Sequence, residues 1–195
     1  IFSAVGCDEV GSFILGELQR ENVNTEFVLK LENWKSSFSS VLVDIDGDRQ
    51  IVNYRKSLPE GAVNSISNFP IYDAYLSDSR WSEAAIITLS LARKYKKPGI
   101  LDAEEPVSEN SVGIASHVAF SKQGLRNFTN NDDLMASLEI IEKDFNSWAC
   151  VTDGPNGVYF LEDGILHNLP APRIKAVDTL GAGDVWHGAF AVCLA

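Results

Sequence analysis

The chain has 195 residues, 45% of them apolar and 22% charged; this ordinary globular usage lets it bury a core as one domain with room for a small second element, and excludes a disordered or fibrous chain. Sixteen Lys and Arg against 27 Asp and Glu leave a formal charge of −11, which argues against a broad basic face for nucleic acid. The longest apolar stretches, 84–91 and 189–195, are too short or too interrupted by Thr88 and Ser90 to span a bilayer, so no membrane anchor is expected.

The first sixty residues carry one local signal. Residues 41–45 and 50–54 alternate around Asp46-Gly47-Asp48, which predicts a β-hairpin set apart from the remainder of the chain, either a plain edge hairpin or a lid over a site. From about Tyr72 onward, short apolar runs alternate with helical patterns, the signature of an α/β fold with a parallel sheet and crossover helices. Residues 71–76 read as its first strand. Ser82 is placed to cap a helix over 83–95, with Ala84, Ile87, Leu91 and Tyr95 at helical spacing and Pro98 and Gly99 closing it. Gly99–Ala103 predicts a strand that runs into the acidic segment 102–105, and 117–120 predicts another. Leu134, Leu138, Ile141 and Phe145 mark one face of an amphipathic helix between 132 and 145. Trp148–Thr152 reads as a buried strand ending in the turn cluster Asp153-Gly154-Pro155-Asn156-Gly157. Residues 158–161 and Ile165–Leu169 flank Glu162-Asp163-Gly164 as an antiparallel pair on the sheet edge. Residues 171–177 then lead through a glycine-rich turn into a last helix beginning near Asp184.

Cys7, Cys150 and Cys193 are odd in number, far apart and set in apolar surroundings, so they are expected to be buried reduced thiols in a cytoplasmic, reducing compartment. His117, His167 and His187 show no metal-ligand spacing and read as ordinary core or surface histidines. A first residue other than Met and an apolar helix still running at Ala195 lead us to expect an excerpt of a longer chain, and no secretory leader pattern is present.

The strongest chemical signal is Asp178-Thr179-Leu180-Gly181-Ala182-Gly183-Asp184, a glycine-rich turn opening into a helix. Glycines let the backbone approach a phosphate, and the free amides and positive dipole end of the helix hold anionic charge. Asp184, in the first turn, is placed to accept a proton from a hydroxyl attacking that phosphate; the alternative is that it complements the dipole while the glycines serve close packing. Trp186 stands where a dinucleotide fingerprint needs its third glycine, and no Gly-Lys-Ser/Thr ending occurs, so neither a Rossmann loop nor a Walker A loop is present.

This segment resembles the Asp-Thr-x-Gly-Ala-Gly-Asp signature of ribokinase-like, PfkB-type carbohydrate kinases at every specified position. Val151-Thr152-Asp153-Gly154-Pro155-Asn156-Gly157 before a hairpin is similar to that family's Thr-x-Gly-x-x-Gly nucleotide loop, and Val5-Gly6-Cys7-Asp8-Glu9-Val10-Gly11 to its early Gly-x-Asp-x-x-Gly segment. Asp78-Ser79-Arg80-Trp81 resembles the ketohexokinase-like and sulfofructose-kinase-like branch. The resemblance implies one ribokinase-like three-layer domain over 1–195, short of its two ends, with a small β lid at about 38–56. It implies a kinase that moves the γ-phosphoryl of ATP to a hydroxyl of a small-molecule sugar, with Mg²⁺. Asp184 would be the base and the amides of Gly181, Ala182 and Gly183 the anion hole. Thr152, Gly154 and Gly157 would line the nucleotide, Asp178 and Thr179 would shape the turn, and Asp8 and Arg80, with Asp184, would approach the sugar.

One departure concerns the metal. Many members carry Asn-x-x-Glu after a central strand to organise Mg²⁺, and Ser121-Lys122-Gln123-Gly124 stands there instead. Asp102 and Glu104, at the carboxyl end of a strand where open α/β sheets place ligands, offer a water-mediated contact to the metal, or else form an acidic solvated loop. The alternatives left open are a nucleoside kinase of the same fold, a catalytically silent sugar sensor and an unrelated α/β binding protein. A homodimer through the β lid is a further expectation.

Overall fold

Parallel pairing begins at the amino end. In the computed structural model, which describes residues 1–45, 49–59, 61–65 and 68–195, β1 (Ser3–Gly6) runs through α1 (Glu9–Arg20) to β2 (Val28–Leu31) and pairs with it in parallel, Ser3 opposite Val28 and Gly6 opposite Leu31. None of these elements was read from the sequence, although Val10, Ile14 and Leu18 recur at helical spacing in α1; the helix buries only Gly11 and Leu15 and leaves Phe13 exposed. A knot of polar contacts fixes the β1–α1 turn. Asp8 caps the helix by accepting from the Gly11 amide at 2.8 Å, and also accepts from the Ser36 amide at 2.9 Å and hydroxyl at 2.7 Å. Gly6 and Gly11 have to be glycine there. A Cβ on either would lie 2.2 Å from a backbone oxygen, that of Trp34 or of Gly6.

β3 (Phe38–Val43) and β4 (Arg49–Tyr54) form the expected hairpin, Phe38 opposite Tyr54 and Val43 opposite Arg49. Its first strand starts three residues before the sequence expectation and leaves Ile45 outside, fully exposed. The turn residues Asp46, Gly47 and Asp48 lie outside the described residues. These elements belong to one compact unit, Ile1–Phe69; the second is Pro70–Ala195.

The second unit holds a sheet of six strands: β5 (Tyr75–Asp78), β6 (Gly99–Ala103), β7 (His117–Ser121), β8 (Trp148–Thr152), β9 (Val158–Glu162) and β10 (Ile165–Leu169). The first four run parallel and the last two are antiparallel, in the order β10-β9-β8-β7-β6-β5. Crossovers run through α2 (Ser82–Tyr95), α3 (Glu109–Ile114), and the pair α4 (Lys122–Thr129) and α5 (Leu134–Phe145). The two-residue alternation of the strands divides the sheet into faces. Leu101, Val118, Phe120, Val151 and Leu161 meet Leu89, Val112, Leu125, Leu138 and Ile141 from those helices in one buried core. The opposite face presents His117, Trp148 and Phe160; Trp148 meets the other two rings at tilted angles, and His117 and Trp148 both meet Phe190 of α6 (Ala182–Leu194), with 5.6 to 5.9 Å between centroids. Helices on both faces make this the three-layer α/β arrangement expected.

Several local expectations shift. The first strand is Tyr75–Asp78 rather than 71–76, because pairing starts where Tyr75 donates to Pro98 and meets Gly99. Ser82 is the first helical residue of α2 instead of its cap; Trp81 takes that position, and its side chain does not cap the helix. The helix ends at Lys96 in the left-handed region (φ 54°), ahead of Pro98. The helix expected over 132–145 starts at Leu134, capped by Asp133, and the short α3 and α4 escaped notice because each spans too few turns for a clear periodicity. Of the three free cysteines only Cys150 is buried; Cys7 and Cys193 are exposed. Among the described residues no helix is long and apolar enough to cross a membrane.

Two outcomes are expected for the 195-residue chain. Burial pushes the Cys150 thiol up to about 12, so a thiol reagent at pH 8 should modify Cys7 and Cys193 at once and Cys150 only after unfolding. At Gly157 (φ +91°) a Cβ would lie 2.0 Å from the Leu169 carbonyl oxygen, so Gly157→Ala should cost about 2 kcal/mol or more in urea unfolding. Gly154→Asn, at φ +49° with nothing within 4 Å, should cost less than about 1 kcal/mol.

Candidate active site

Because β5 to β8 are parallel, their carboxyl ends share one edge, the place where open α/β sheets bind ligands. Register pairs Asp78 with Asp102, Asp102 with Ala119, and Ser121 with Thr152. With the alternation of faces, Asp78, Asp102, Ser121 and Thr152 all project on the side covered by α6.

The approach to α6 is built from its own side chains and amides. Asp178 closes a turn by accepting from the Leu180 amide at 2.8 Å. Gly181 then takes the N-cap position with φ +74°, a conformation that favours glycine. The Ala182 amide donates to the Thr179 carbonyl at 3.2 Å and the Val185 amide to the Gly181 carbonyl at 2.9 Å. Helix geometry leaves the Gly183 and Asp184 amides without an intrahelical acceptor. Asp184 stands beside them, exposed, in the first turn. Of the three amides expected to form an anion hole, that of Ala182 is thus already engaged, and the Asp184 amide extends the set.

His187, read from sequence as an ordinary histidine, is part of this edge. It is 7% exposed, with Nδ1 2.8 Å from the Gly183 carbonyl oxygen. Nε2 lies 3.4 Å from Asp102 Oδ1, within ion-pair range yet without an aligned hydrogen bond. Burial raises the Asp102 carboxyl above the usual aspartate range; His187 opposes that rise, while Glu104, Asp78 and Asp184 add to it. The available signal was spacing: His187 lies four residues after Gly183 and four before the buried Ala191, on the inward stripe of the helix.

The remaining candidates spread along the same edge. Thr152, at the end of β8, donates from Oγ1 to the Phe120 carbonyl at 3.3 Å. The turn after it is held at Asp153, which takes Lys122 Nζ at 3.0 Å and Asn156 Nδ2 at 3.1 Å and donates its amide to the Gly157 carbonyl at 2.8 Å. The Lys122 contact keeps the Asp153 carboxyl below its ordinary value. Gly154 and Gly157 supply the positive φ angles of that turn, 49° and 91°. Arg80 donates Nη1 to the Glu105 carbonyl at 2.6 Å and its amide to Asp78 at 2.7 Å, and the Ser79 hydroxyl donates to the Glu104 carbonyl, so the loops after β5 and β6 are laced together. Asp8 belongs to the other unit, where both carboxylate oxygens are taken by Gly11 and Ser36, holding its pKa down. That is the engagement of a cap.

Of the two departures from Asn-x-x-Glu, Gly124 has a steric reason, and Ser121 keeps a capping role that Asn would also fill. Ser121 caps α4, accepting from the Gly124 amide at 3.1 Å, and a Cβ at Gly124 would lie 2.9 Å from the Ala103 carbonyl oxygen. Among the described residues no group of three or more His, Cys, Asp or Glu is disposed to hold a metal by itself. The exposed Glu104, with Asp102 turned to His187 behind it, offers hard oxygens that fit Mg²⁺ held through water and phosphate oxygens.

Residues 1–195 match the family described as pfkB family carbohydrate kinase, and the chain belongs to that family. It is 24% identical to a ribokinase of Schizosaccharomyces pombe over 100% of this chain and 66% of that protein. A solved structure from Agrobacterium tumefaciens, provisionally assigned as a ribokinase, superposes with a TM-score of 0.85 at 31% identity, covering 98% of this chain and 66% of the other. A Vibrio cholerae fructokinase solved with fructose, ADP and calcium superposes at 0.77 with 23% identity, over 96% and 67% of the two chains. The chain spans about two thirds of the length of the curated relatives it matches.

The packing at Gly124 makes a direct prediction. Ser121→Asn keeps a capping side chain and should leave the unfolding free energy within about 0.5 kcal/mol. Gly124→Glu has to displace the backbone of β6 and should lower it by about 2 kcal/mol; equal stability of the two variants in urea would contradict this account.

Proposed function

We propose that this protein is an ATP-dependent sugar kinase in which Asp184 is the general base and the first turn of α6 is the anion hole. The observation that carries the reading is the joint exposure, in one helical turn, of unengaged amides at Gly183 and Asp184 and of the Asp184 carboxylate, at the carboxyl edge of a parallel sheet. Phosphoryl transfer asks for alignment and charge stabilisation more than for covalent help. In the proposed step Asp184 accepts the proton of a sugar hydroxyl as that oxygen bonds to the γ-phosphorus. The bond from phosphorus to the β–γ bridging oxygen breaks, ADP leaves, and the amides of Gly181, Gly183 and Asp184 take up charge on the transferring group. The Ala182 amide, held by Thr179, keeps the turn in shape. Mg²⁺, with Glu104 and Asp102 reaching it through water, would neutralise phosphate charge.

Thr152, Gly154 and Gly157 are assigned to the nucleotide, Asp178 and Thr179 to the shape of the turn, and Arg80 to the acceptor. Asp8 is assigned to holding the β1–α1 turn. The ADP bound to the Vibrio cholerae fructokinase supports a nucleotide in this fold. In this reading the β3–β4 hairpin is the lid element. Phe38, Leu42, Val43, Ile51 and Val52 on it are 49 to 60% exposed, which supports its burial in a homodimer.

The test is ADP release by the protein at its full natural length, with ATP, Mg²⁺ and a panel of ketoses, aldoses, sulfonated sugars and nucleosides. Acceptor-dependent turnover is expected with a sugar and should fall at least about a hundredfold in Asp184→Asn, the scale of losing a general base. Turnover only with nucleosides would make it a nucleoside kinase, and ATP binding without turnover would make it a sensor.

A further inference from the structure

The first turn of α6 has to keep amides and a carboxylate aimed while lacking the usual means of holding itself. Gly181 stands at the N-cap with no side chain to bond the open amides, and Gly183 has nothing within 4 Å of where a Cβ would lie. Both residues add backbone freedom where alignment is needed. One turn further on, His187 faces two ways. A carbonyl only accepts, so the 2.8 Å contact to Gly183 places a hydrogen on Nδ1. Nε2, buried and without a hydrogen-bond partner, is directed at Asp102 Oδ1, 3.4 Å away at the carboxyl end of β6. An apolar ring here would lose the Gly183 contact, and a buried nitrogen left without a hydrogen-bond partner is costly to keep. The carboxylates of Asp78, Glu104 and Asp184 push the Asp102 carboxyl further up, and His187 opposes that rise.

We propose that His187 is a positioning residue: held to the Gly183 carbonyl through Nδ1 and set with Nε2 facing Asp102 at 3.4 Å, it seats the first turn of α6 against the sheet edge and sets where the Gly183 and Asp184 amides and the Asp184 carboxylate stand for phosphoryl transfer. This rests on the sugar-kinase reading and adds to it a residue outside the signature's specified positions. The tie acts on the transferring group rather than on the sugar, so its loss falls on kcat and spares the KM of the acceptor.

Three replacements separate the contributions, two of them at 187. His187→Phe keeps an aromatic ring and loses both contacts; His187→Asn keeps a donor near the position of Nδ1 and loses the reach to Asp102. In the protein at its full natural length, His187→Phe should lower kcat by about ten- to a hundredfold, as expected for a reacting group displaced by a fraction of an ångström, with the acceptor KM changed less than about twofold. His187→Asn should recover part of that rate. Ala191→Gly, at a buried position further along α6, controls for stability and should keep kcat even where its melting temperature falls as far. In nitrogen NMR of the wild type, the His187 signals should show a protonated Nδ1, and Asp102→Asn should shift the Nε2 resonance. A His187→Phe enzyme with wild-type kcat, or an Ala191→Gly enzyme that loses as much, overturns the role of His187 alone. Absence of acceptor-dependent turnover in the wild type overturns the kinase reading and this role together.

Discussion

Parallel pairing of β5 to β8 is the constraint on which the rest of the second unit depends. A parallel strand can join its neighbour only by returning to the same starting edge, so each connection crosses a face of the sheet, here through helices. Those helices bury Leu89, Leu125, Leu138 and Ile141 against Leu101, Phe120 and Val151 on one face. The same pairing leaves all four strands ending on one edge, so residues as distant in sequence as Asp78 and Thr152 become neighbours of one cleft edge without any direct contact between them. The antiparallel β9 and β10 then close the far side, and α6 returns to cover the second face through Phe190.

Electrostatics at that edge are local. The chain's charge of −11 does not prevent an anion from binding, because exposed charges beyond about 10 Å are screened by salt while backbone amides act at contact range. What the acidic composition does affect is Asp102, which is partly buried and ringed by Glu104, Asp78 and Asp184. Without a partner such a carboxyl would be expensive to keep ionised. His187 stands against it at 3.4 Å and at the same time against the Gly183 carbonyl of the glycine-rich turn.

Elements with strong turn chemistry at both ends were legible in advance. β6, β8 and β10 have the bounds read from sequence, because glycine and proline punctuate them and their interiors are apolar. Elements defined by a polar cap and little else were not. α4 begins at Ser121, and its buried side is little more than Gly124 and Leu125, too short for a period to emerge. At Ser82 a good capping residue went unused, since the strand before it ends two residues later than its apolar run suggested. The signature turn was visible as a glycine-rich helix start with Asp184 in its first turn, but Ala182's engagement with Thr179 was not, because backbone donors are allotted by turn geometry and not by residue type.

The sequence by itself determined the α/β class, the strand and turn positions after residue 98, and the chemical character of the turn at 178–184. Periodicity and glycine spacing are local properties, so they can be read along the chain. Only the tertiary structure decided that Asp8 spends its carboxylate on Gly11 and Ser36, that Gly124 leaves no room for a side chain beside Ala103, and that His187 reaches Asp102. Each of these depends on groups brought together by chain closure over tens of residues, 28 between Asp8 and Ser36, and no local pattern records which distant backbone or side chain will arrive.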